Sequence, residues 1–325
     1  MKNEIITLKE FEVEVKNAKG KSNGYPRDIE FSFEDEGKTL RAQLVGKFDK
    51  QDFRRFDPWT LAVLAEVQER CKVKITNVTF FISQKEPTDK RFMLNFEALK
   101  RRISFLNINN EDLQLELFLN EKKIDLYDKK SLFNRSNNEI IRSTISKRSE
   151  DNESGLLEKA FQSFLYGKGL KTRTNDRLAI LGEDFYQMKG KDVGILREFP
   201  TGVFDKKVAD STRIMPTEMV DLVTLNKWGN LSVIELKLDN SELEVISQIL
   251  DYALYFACYR NLLIKIPNIT ETFDVKTIQK ADIFCYVVNN YFHPRFDNIL
   301  RFYKTKNKGY GFVLKKIVLG ETTEI

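Results

Sequence analysis

Hydrophobic and polar residues follow short strand-like patterns in the N-terminal part of the chain. Three segments alternate with a period of two and a fourth is a continuous apolar run: residues 11–15 (FEVEV), 29–33 (IEFSF), 113–119 (LQLELFL) and 78–82 (VTFFI). Both patterns predict β-strands. A helix is predicted to begin at Asp57, because Asp is a common N-cap and Pro58 suits the first helical turn. Residues 1–128 are therefore expected to form a small α+β domain.

A change of composition follows this predicted domain. Between residues 129 and 153 polar and charged residues dominate and apolar residues are scattered, which predicts a polar linker. Ser154 is then expected to cap a helix with one apolar face. The later segments predict two strands, a helix, a further strand and a C-terminal hairpin, at residues 219–225, 231–238, 241–260, 281–288 and around 306–311. With a strand at residues 195–199 (ILREF), residues 154–325 are expected to form an α/β domain with a mixed sheet flanked by helices.

Composition limits the chemistry that this chain can perform. Hydrophobic residues make up 42% and charged residues 31% of the 325 residues, which is enough apolar material for real cores. His293 is the single histidine. Ser-His-Asp and Cys-His catalysis and His-ligated metal centres are therefore not expected unless His293 serves alone, and we expect it to be a loop or strand-end residue. Carboxylates, lysine, hydroxyls and hard cations such as Mg²⁺ remain.

Charge and apolar patterning also bear on compartment and partners. The net charge of +5 is compatible with nucleic acid but does not identify a partner. The longest apolar stretch, residues 243–259, contains Glu244, Gln248 and Asp251, so no membrane-spanning helix and no membrane partner are expected. The N-terminal segment contains acidic residues where a signal peptide needs an apolar run, and the three cysteines are far apart. These features predict a reducing, cytoplasmic setting.

The candidate chemistry lies in residues 219–238 (MVDLVTLNKWGNLSVIELKL). A three-residue turn centred on Trp228, with Gly229 in the left-handed conformation, pairs Asp221 directly with Glu235. Period-two alternation places Lys237 on the same face as Glu235. Two carboxylates and an ammonium group are therefore expected to converge on one patch of an otherwise apolar sheet.

Such a cluster has two interpretations. Paired carboxylates in a low dielectric raise one of the two pKa values or recruit a cation, and a neighbouring lysine offsets part of the repulsion. These are the components of a Mg²⁺ site that activates water against a phosphodiester. The alternative is an exposed strand that carries an ordinary ion pair. In the following helix, Gln248 and Tyr252 lie beside a wide apolar face, so they either line a cleft or pack at the boundary of a core.

The order of these residues resembles a known signature. Asp221, then Glu235-Leu236-Lys237, then Gln248 and Tyr252 resemble the D…ExK…QxxxY pattern of the PD-(D/E)XK nuclease superfamily, in its RecB-like branch. Residues 154–295 are similar to NucS-type mismatch endonucleases and Shedu-type defence nucleases. No proline directly precedes Asp221, in contrast to the name-giving motif.

The resemblance implies roles for individual residues. Asp221, Glu235 and the backbone carbonyl of Leu236 would bind the metal, and Lys237 would orient or activate the attacking water. Gln248 and Tyr252 would support the site or contact substrate. A further metal-binding glutamate would be Glu158, on the helix before the core strands, or Glu198 in the strand at residues 195–199.

The resemblance also implies a fold and a function. It predicts a restriction-endonuclease-like core and a Mg²⁺-dependent endonuclease, with Mn²⁺ as a substitute, that hydrolyses phosphodiester bonds in DNA, in anti-phage defence or restriction. The alternative is a non-cleaving nucleic-acid-binding or regulatory module on the same fold. Residues 1–128 would serve in recognition, regulation or assembly. A homo-oligomer is expected, because cutting both strands of a duplex often takes two active sites.

Overall fold

The chain divides into two compact units. The computed structural model describes residues 5–84, 89–133, 139–141, 156–167, 175–185, 194–216, 218–280, 282–303 and 312–320. The first unit comprises Met1–Leu132, Ile246–Gln248 and His293–Lys304, and the second comprises Phe133–Val245, Ile249–Phe292 and Thr305–Ile325. Two short segments of the C-terminal half thus belong to the first unit, which a linear division into residues 1–128, 129–153 and 154–325 does not anticipate.

The first unit is built on a five-stranded sheet with strand order β1-β2-β3-β4-β5. Its strands are β1 (Ile29–Glu34), β2 (Thr39–Leu44), β3 (Asn77–Ile82), β4 (Gln114–Leu119) and β5 (Lys122–Ile124). The two edge pairs are antiparallel and the two central pairs are parallel. The chain connects the parallel strands through α2 (Lys50–Arg70) and α3 (Lys90–Asn109). The strands predicted at residues 29–33, 78–82 and 113–119 are confirmed.

The strand predicted at residues 11–15 is wrong, because this segment lies in helix α1 (Leu8–Ala18). Thr7 caps the helix: its hydroxyl accepts a hydrogen bond from the Glu10 N–H at 3.3 Å, and its own N–H donates to the Glu10 carboxylate at 2.7 Å. Phe11 and Val15 are four residues apart and share one buried helix face, whereas Val13 is 57% exposed. The capping box therefore selects the helix although the apolar residues also alternate.

The helix predicted to begin at Asp57 begins earlier, at Lys50, with Asp49 as its N-cap. The Asp49 carboxylate accepts hydrogen bonds from the N–H groups of Gln51 and Asp52 at 2.8 and 3.0 Å. Asp57 lies inside the helix, fully buried, and forms an ion pair with Arg102 of α3 at 3.0 Å. Its carboxylate serves a buried charge pair and not a helix end, so the predicted start is wrong.

The predicted linker at residues 129–153 is regular in its described part. It contains the short helix α4 (Lys129–Phe133) and the strand β6 (Glu139–Ile141). In the second unit, β6 pairs with β8 (Val203–Asp205), which also pairs with β9 (Arg213–Met215). Residues 134–138 and 142–153, and the predicted cap Ser154, lie outside the described residues.

The second unit contains a five-stranded mixed sheet with strand order β13-β12-β11-β10-β7. Its strands are β7 (Leu196–Pro200), β10 (Met219–Leu225), β11 (Leu231–Leu236), β12 (Ile283–Asn289) and β13 (Phe312–Val318). β7, β10 and β11 are antiparallel neighbours, whereas β11, β12 and β13 run parallel. The described α-helices of this unit are α5 (Leu156–Tyr166), α6 (Glu244–Cys258) apart from its residues 246–248, α7 (Arg260–Leu263), α8 (Pro267–Thr272) and α9 (Val275–Lys280).

The chain is thus α/β, with mixed sheets flanked by helices, as predicted. The C-terminal strand differs from the prediction of a hairpin, because β13 pairs parallel to β12, with Ile283 opposite Phe312. A parallel pair requires a crossover, and helix α10 (Phe296–Leu300) lies between the two strands in sequence. The predicted turn at residues 306–311 lies outside the described residues.

One face of the second sheet is covered by a buried cluster that includes α5. Leu165 of this helix packs with Leu222 of β10, Ile234 and Leu236 of β11, and Tyr286 of β12, and each of these side chains is at most 1% exposed. This packing fixes α5 over the strands that carry the candidate chemistry. Among the described helices, each is too short or too polar to cross a membrane. Cys71, Cys258 and Cys285 are not joined in disulfides.

The Asp57–Arg102 pair predicts a large loss of stability on substitution. Asp57→Ala leaves a buried guanidinium without its carboxylate and should lower the free energy of unfolding by about 3–5 kcal/mol. Asp49→Ala removes only a helix cap and should cost about 1 kcal/mol. Urea unfolding followed by Trp59 fluorescence in a Trp228→Phe background measures both. Equal losses in the two variants would contradict the internal position of Asp57.

His293 predicts a pH-dependent stability. Its Nδ1 accepts the Arg295 N–H at 3.2 Å, and burial together with the charge of Arg295 lowers its pKa to about 4. The unfolded chain binds this proton near pH 6.5, as a free histidine does, so the free energy of unfolding should fall as the pH is lowered from about 6.5 to about 4.

The matched control for this prediction is His293→Asn, which keeps a hydrogen-bond acceptor but does not titrate. The difference in unfolding free energy between wild type and His293→Asn should be constant above neutral pH and should decrease below pH 6.5. Parallel stability curves for the two proteins across this range would rule out the predicted effect.

Candidate active site

The β10–β11 hairpin has the register that the sequence predicts. Leu222 pairs with Ile234 and Leu225 pairs with Leu231. The turn is closed by a hydrogen bond from the Asn226 N–H to the Asn230 carbonyl at 3.0 Å. Gly229 adopts φ +75°, the left-handed conformation that the three-residue turn requires. The turn and the register together determine which residues meet at the other end of the hairpin.

At that end Asp221 and Glu235 come together. Extending the observed register by one residue places them opposite each other. Glu235 is 1% exposed, whereas Asp221 is partly exposed. One oxygen of the Asp221 carboxylate, Oδ2, accepts the Leu236 N–H at 2.8 Å. The predicted juxtaposition of the two carboxylates is therefore present in the structure.

Lys237 follows β11 directly and contacts Glu235, as the alternation predicts. The Lys237 Nζ lies 2.7 Å from the Glu235 Oε1, and the lysine side chain is 21% exposed. Burial lowers the pKa of Lys237, but the negative charges of Glu235, Asp221 and Glu158 outweigh it, so the pKa is raised above the ordinary value. Lys237 is therefore a cation at neutral pH.

The Asp221 carboxyl has a pKa well above its usual range. Burial is the largest cause, and the charge of Glu235 adds to it. The positive charge of Lys237 and the Leu236 N–H act in the opposite direction without compensating for it. The Asp221 carboxyl thus keeps its proton to a higher pH than an ordinary aspartate does.

Glu158 lies in the same electrostatic cluster. It is partly buried on α5, and burial raises its pKa against the opposing effects of the Lys237 charge and of a hydrogen bond from the Leu238 backbone. Glu158 also contributes to the raised pKa values of Asp221 and Lys237. The sequence left open whether this residue is exposed or near the site, and the structure places it near the site.

Two residues of the site were not predicted. The Gln162 Nε2 donates to the backbone carbonyl and to the Oδ1 of Asp221, both at 3.1 Å. The Gln162 Oε1 accepts a hydrogen bond from the Arg197 Nε at 2.8 Å. Gln162 is 3% exposed and lies one helical turn after Glu158 on α5. One feature of the sequence could have indicated Gln162: it is polar and lies four positions after the candidate ligand Glu158, so both residues share one helix face.

Glu198, the second candidate for an additional glutamate, lies on β7. The flanking pairs are Val220 with Phe199 and Leu222 with Arg197, so Glu198 occupies the position across from Asp221. Glu198 is partly buried and has φ +50°, a left-handed conformation that costs a non-glycine residue about 1–2 kcal/mol. Its role as a metal ligand stays a prediction.

The two residues of the predicted QxxxY element lie on α6. Tyr252 is 1% exposed, and its hydroxyl donates to the carbonyl of Met219 at 3.0 Å, two residues before Asp221. Burial and this hydrogen bond favour support of β10 over contact with substrate. Tyr255 and Tyr259 are equally buried. Gln248 is partly buried and belongs to the segment Ile246–Gln248 of the first unit, and its role stays a prediction.

The donors near Asp221 suit a hard cation. Asp221 and Glu235 offer carboxylate oxygens, and the Leu236 carbonyl faces the same side as its N–H, towards β10. Mg²⁺ prefers oxygen ligands, binds through one or two carboxylates and keeps several waters. Within the described ranges, no group of three or more His, Cys, Asp or Glu side chains is arranged to hold a metal ion. The oxygen donors at this end of the hairpin are two carboxylates and a backbone carbonyl.

Metal binding to this donor set should raise thermal stability. Mg²⁺ or Mn²⁺ at about 100 times its Kd should stabilise the folded wild type by about 2.7 kcal/mol, and EDTA should remove the effect. Asp221→Ala and Glu235→Ala should lose the stabilisation, whereas Asp210→Ala, at an exposed aspartate, should keep it. Differential scanning fluorimetry measures the shift. Equal metal stabilisation of all four proteins would place the cation elsewhere.

Neither protein-family models nor curated proteins match this sequence. The function of the site is therefore inferred from its residues and their geometry.

Proposed function

We propose that this protein is a metal-dependent nuclease that hydrolyses phosphodiester bonds in DNA, on a restriction-endonuclease-like core. The observation that carries the proposal is the convergence of Asp221, Glu235 and Lys237 at one end of the β10–β11 hairpin. A hairpin that carries acidic residues, followed by α6 and the parallel strand β12, supports this type of core. Membership of the PD-(D/E)XK superfamily is part of the proposal.

Asp221, Glu235 and the Leu236 carbonyl would hold Mg²⁺ or Mn²⁺. When bound, the cation would lower the pKa of a water molecule and stabilise negative charge on the phosphoryl oxygens. Asp221 is held ready for this task, because Gln162 donates to Oδ1 at 3.1 Å and the Leu236 N–H donates to Oδ2 at 2.8 Å. Each carboxylate oxygen keeps a further lone-pair site for a ligand.

Lys237 would act as a hydrogen-bond donor. The neighbouring carboxylates raise the pKa of Lys237, which favours the protonated ammonium group at neutral pH. Its contact with the Glu235 Oε1 at 2.7 Å fixes the ammonium group beside the carboxylate pair. From that position it can orient the attacking water or stabilise the charge that develops on the phosphate.

The alternative function is nucleic-acid binding without cleavage on the same fold. The presence of two acidic residues and a lysine in register favours cleavage, since binding alone does not require paired carboxylates that repel a phosphate. The proposal has three further parts. The first unit would serve in recognition, regulation or assembly, the protein would act in phage defence or restriction, and it would form a homo-oligomer. Mass measurement in solution tests the last of these.

The proposal predicts metal-dependent cleavage that requires Lys237. Wild type should cut linear, supercoiled or single-stranded DNA with Mg²⁺ or Mn²⁺ and not with EDTA. Lys237→Ala should reduce the rate by about 10²–10³-fold, because it removes a donor at the reacting phosphate. Asp221→Ala and Glu235→Ala should reduce it at least as strongly. Gel electrophoresis of the DNA products measures the rates.

The control for Lys237→Ala is Lys207→Ala, which removes an exposed lysine in the same unit and should leave the rate unchanged. Full activity in the Asp221→Ala and Glu235→Ala proteins would overturn the proposed site. Metal-dependent binding of DNA by wild type without any strand scission would favour the non-cleaving alternative.

A further inference from the structure

We propose that Arg197 binds a phosphate group of the DNA backbone at this site, and that Gln162 positions its guanidinium beside Asp221. The inference rests on the proposed phosphodiesterase function and adds a substrate-binding residue that the motif does not contain. Arg197 lies on β7 opposite Leu222, one residue along β10 from Asp221. It therefore lies beside the strand position that carries the first carboxylate.

Gln162 connects Arg197 to Asp221 in one orientation. Its Oε1 accepts from the Arg197 Nε at 2.8 Å, so its Nε2 faces Asp221 and donates to two oxygens of that residue at 3.1 Å. An arginine has only donors, and a carboxylate has only acceptors. The Gln162 amide can therefore bond to both Arg197 and Asp221 only with its oxygen towards Arg197 and its nitrogen towards Asp221. These hydrogen bonds hold the buried amide and the guanidinium in place.

The guanidinium keeps most of its donors for a ligand. Of its five N–H groups, the one on Nε binds Gln162. In the described parts of the chain, Arg197 has no other hydrogen bond and no ion pair with a carboxylate. The residue is partly exposed, and neither of its two terminal nitrogens is a buried atom without a partner. A planar fork of this kind matches the geometry of two phosphate oxygens.

The charge of the site requires such a cation. Asp221, Glu235 and Glu158 are three acidic groups, and Lys237 is bound to one of them at 2.7 Å. A phosphodiester brings a further negative charge and is repelled by the acidic groups unless cations face it. Arg197 supplies a positive charge that no described carboxylate neutralises.

The backbone next to Arg197 gives independent support. Glu198 has φ +50° in the middle of β7. Strained residues of this kind persist where the surrounding structure holds them, and they cluster at active sites and ligand-binding positions. Glu198 lies between Arg197, which pairs with Leu222, and Phe199, which pairs with Val220. The strained residue thus adjoins the proposed phosphate-binding residue in the chain.

The test uses the full chain, with Arg197→Met and Arg197→Lys as variants and Arg213→Met as a control on β9. Fluorescence anisotropy with a fluorescein-labelled DNA duplex, and with a single strand of the same sequence, is measured in Ca²⁺ over a range of salt concentrations. Arg197→Met should weaken binding about tenfold and reduce the salt slope by about one, because it removes one phosphate contact. Arg197→Lys should bind DNA with an affinity between those of wild type and Arg197→Met, since lysine keeps the charge but lacks the planar guanidinium fork.

Arg197→Met should also raise KM about tenfold in the cleavage assay and leave kcat within about threefold of wild type. Its affinity for Mn²⁺, measured by calorimetry without DNA, should be unchanged. Wild-type affinity for both DNA probes and an unchanged salt slope in Arg197→Met would overturn the inference. A loss of Mn²⁺ affinity without loss of DNA affinity would also overturn it, because Arg197 would then act only through Gln162 on Asp221.

These outcomes differ from failure of the proposed function. If wild type neither binds nor cuts either DNA probe with any metal, the phosphodiesterase proposal fails and the assignment of Arg197 fails with it. If wild type cuts DNA and Arg197→Met behaves as Arg213→Met does, only the assignment of Arg197 is wrong.

Discussion

The candidate site depends on the antiparallel pairing of β10 with β11. Asp221 and Glu235 face each other only in the observed register, and a shift by one residue would move one carboxylate to the opposite face of the sheet. The three-residue turn with Gly229 at φ +75° sets that register, and the buried residues on both strands reinforce it. Lys237, the Leu236 N–H and the Leu236 carbonyl then take their positions from the pleat of β11 alone.

Electrostatic balance is the second constraint on this site. Burial and mutual repulsion raise the pKa of Asp221, and burial raises the pKa of Glu158, although Lys237 opposes both effects. Hydrogen bonds from Gln162 and Leu236 stabilise the Asp221 carboxylate without removing the excess of negative charge. The proposed divalent cation and the proposed role of Arg197 would both add positive charge beside these carboxylates.

The errors in the predicted fold share a physical cause. The alternation of Phe11, Val13 and Val15 fits a strand, but two of these residues also lie four apart, and the Thr7–Glu10 capping box decides for the helix. Asp57 before Pro58 has the local pattern of a helix start, yet its carboxylate is stabilised by Arg102, 45 residues away in the chain. Local patterns allow both outcomes in each case, and interactions outside the pattern select one.

The sequence by itself determined the hairpin end of the site. The pairing of Asp221 with Glu235 and the position of Lys237 follow from a short turn and period-two alternation, which involve residues close in the chain. Only the tertiary structure decided that Glu158 and Gln162 of α5 and Arg197 of β7 join them. How α5 lies on the sheet depends on the packing of Leu165 against three strands, and no local pattern in the helix contains that information. The parallel pairing of β13 has the same origin, because it joins strands that are distant in sequence and takes its register from the assembled sheet.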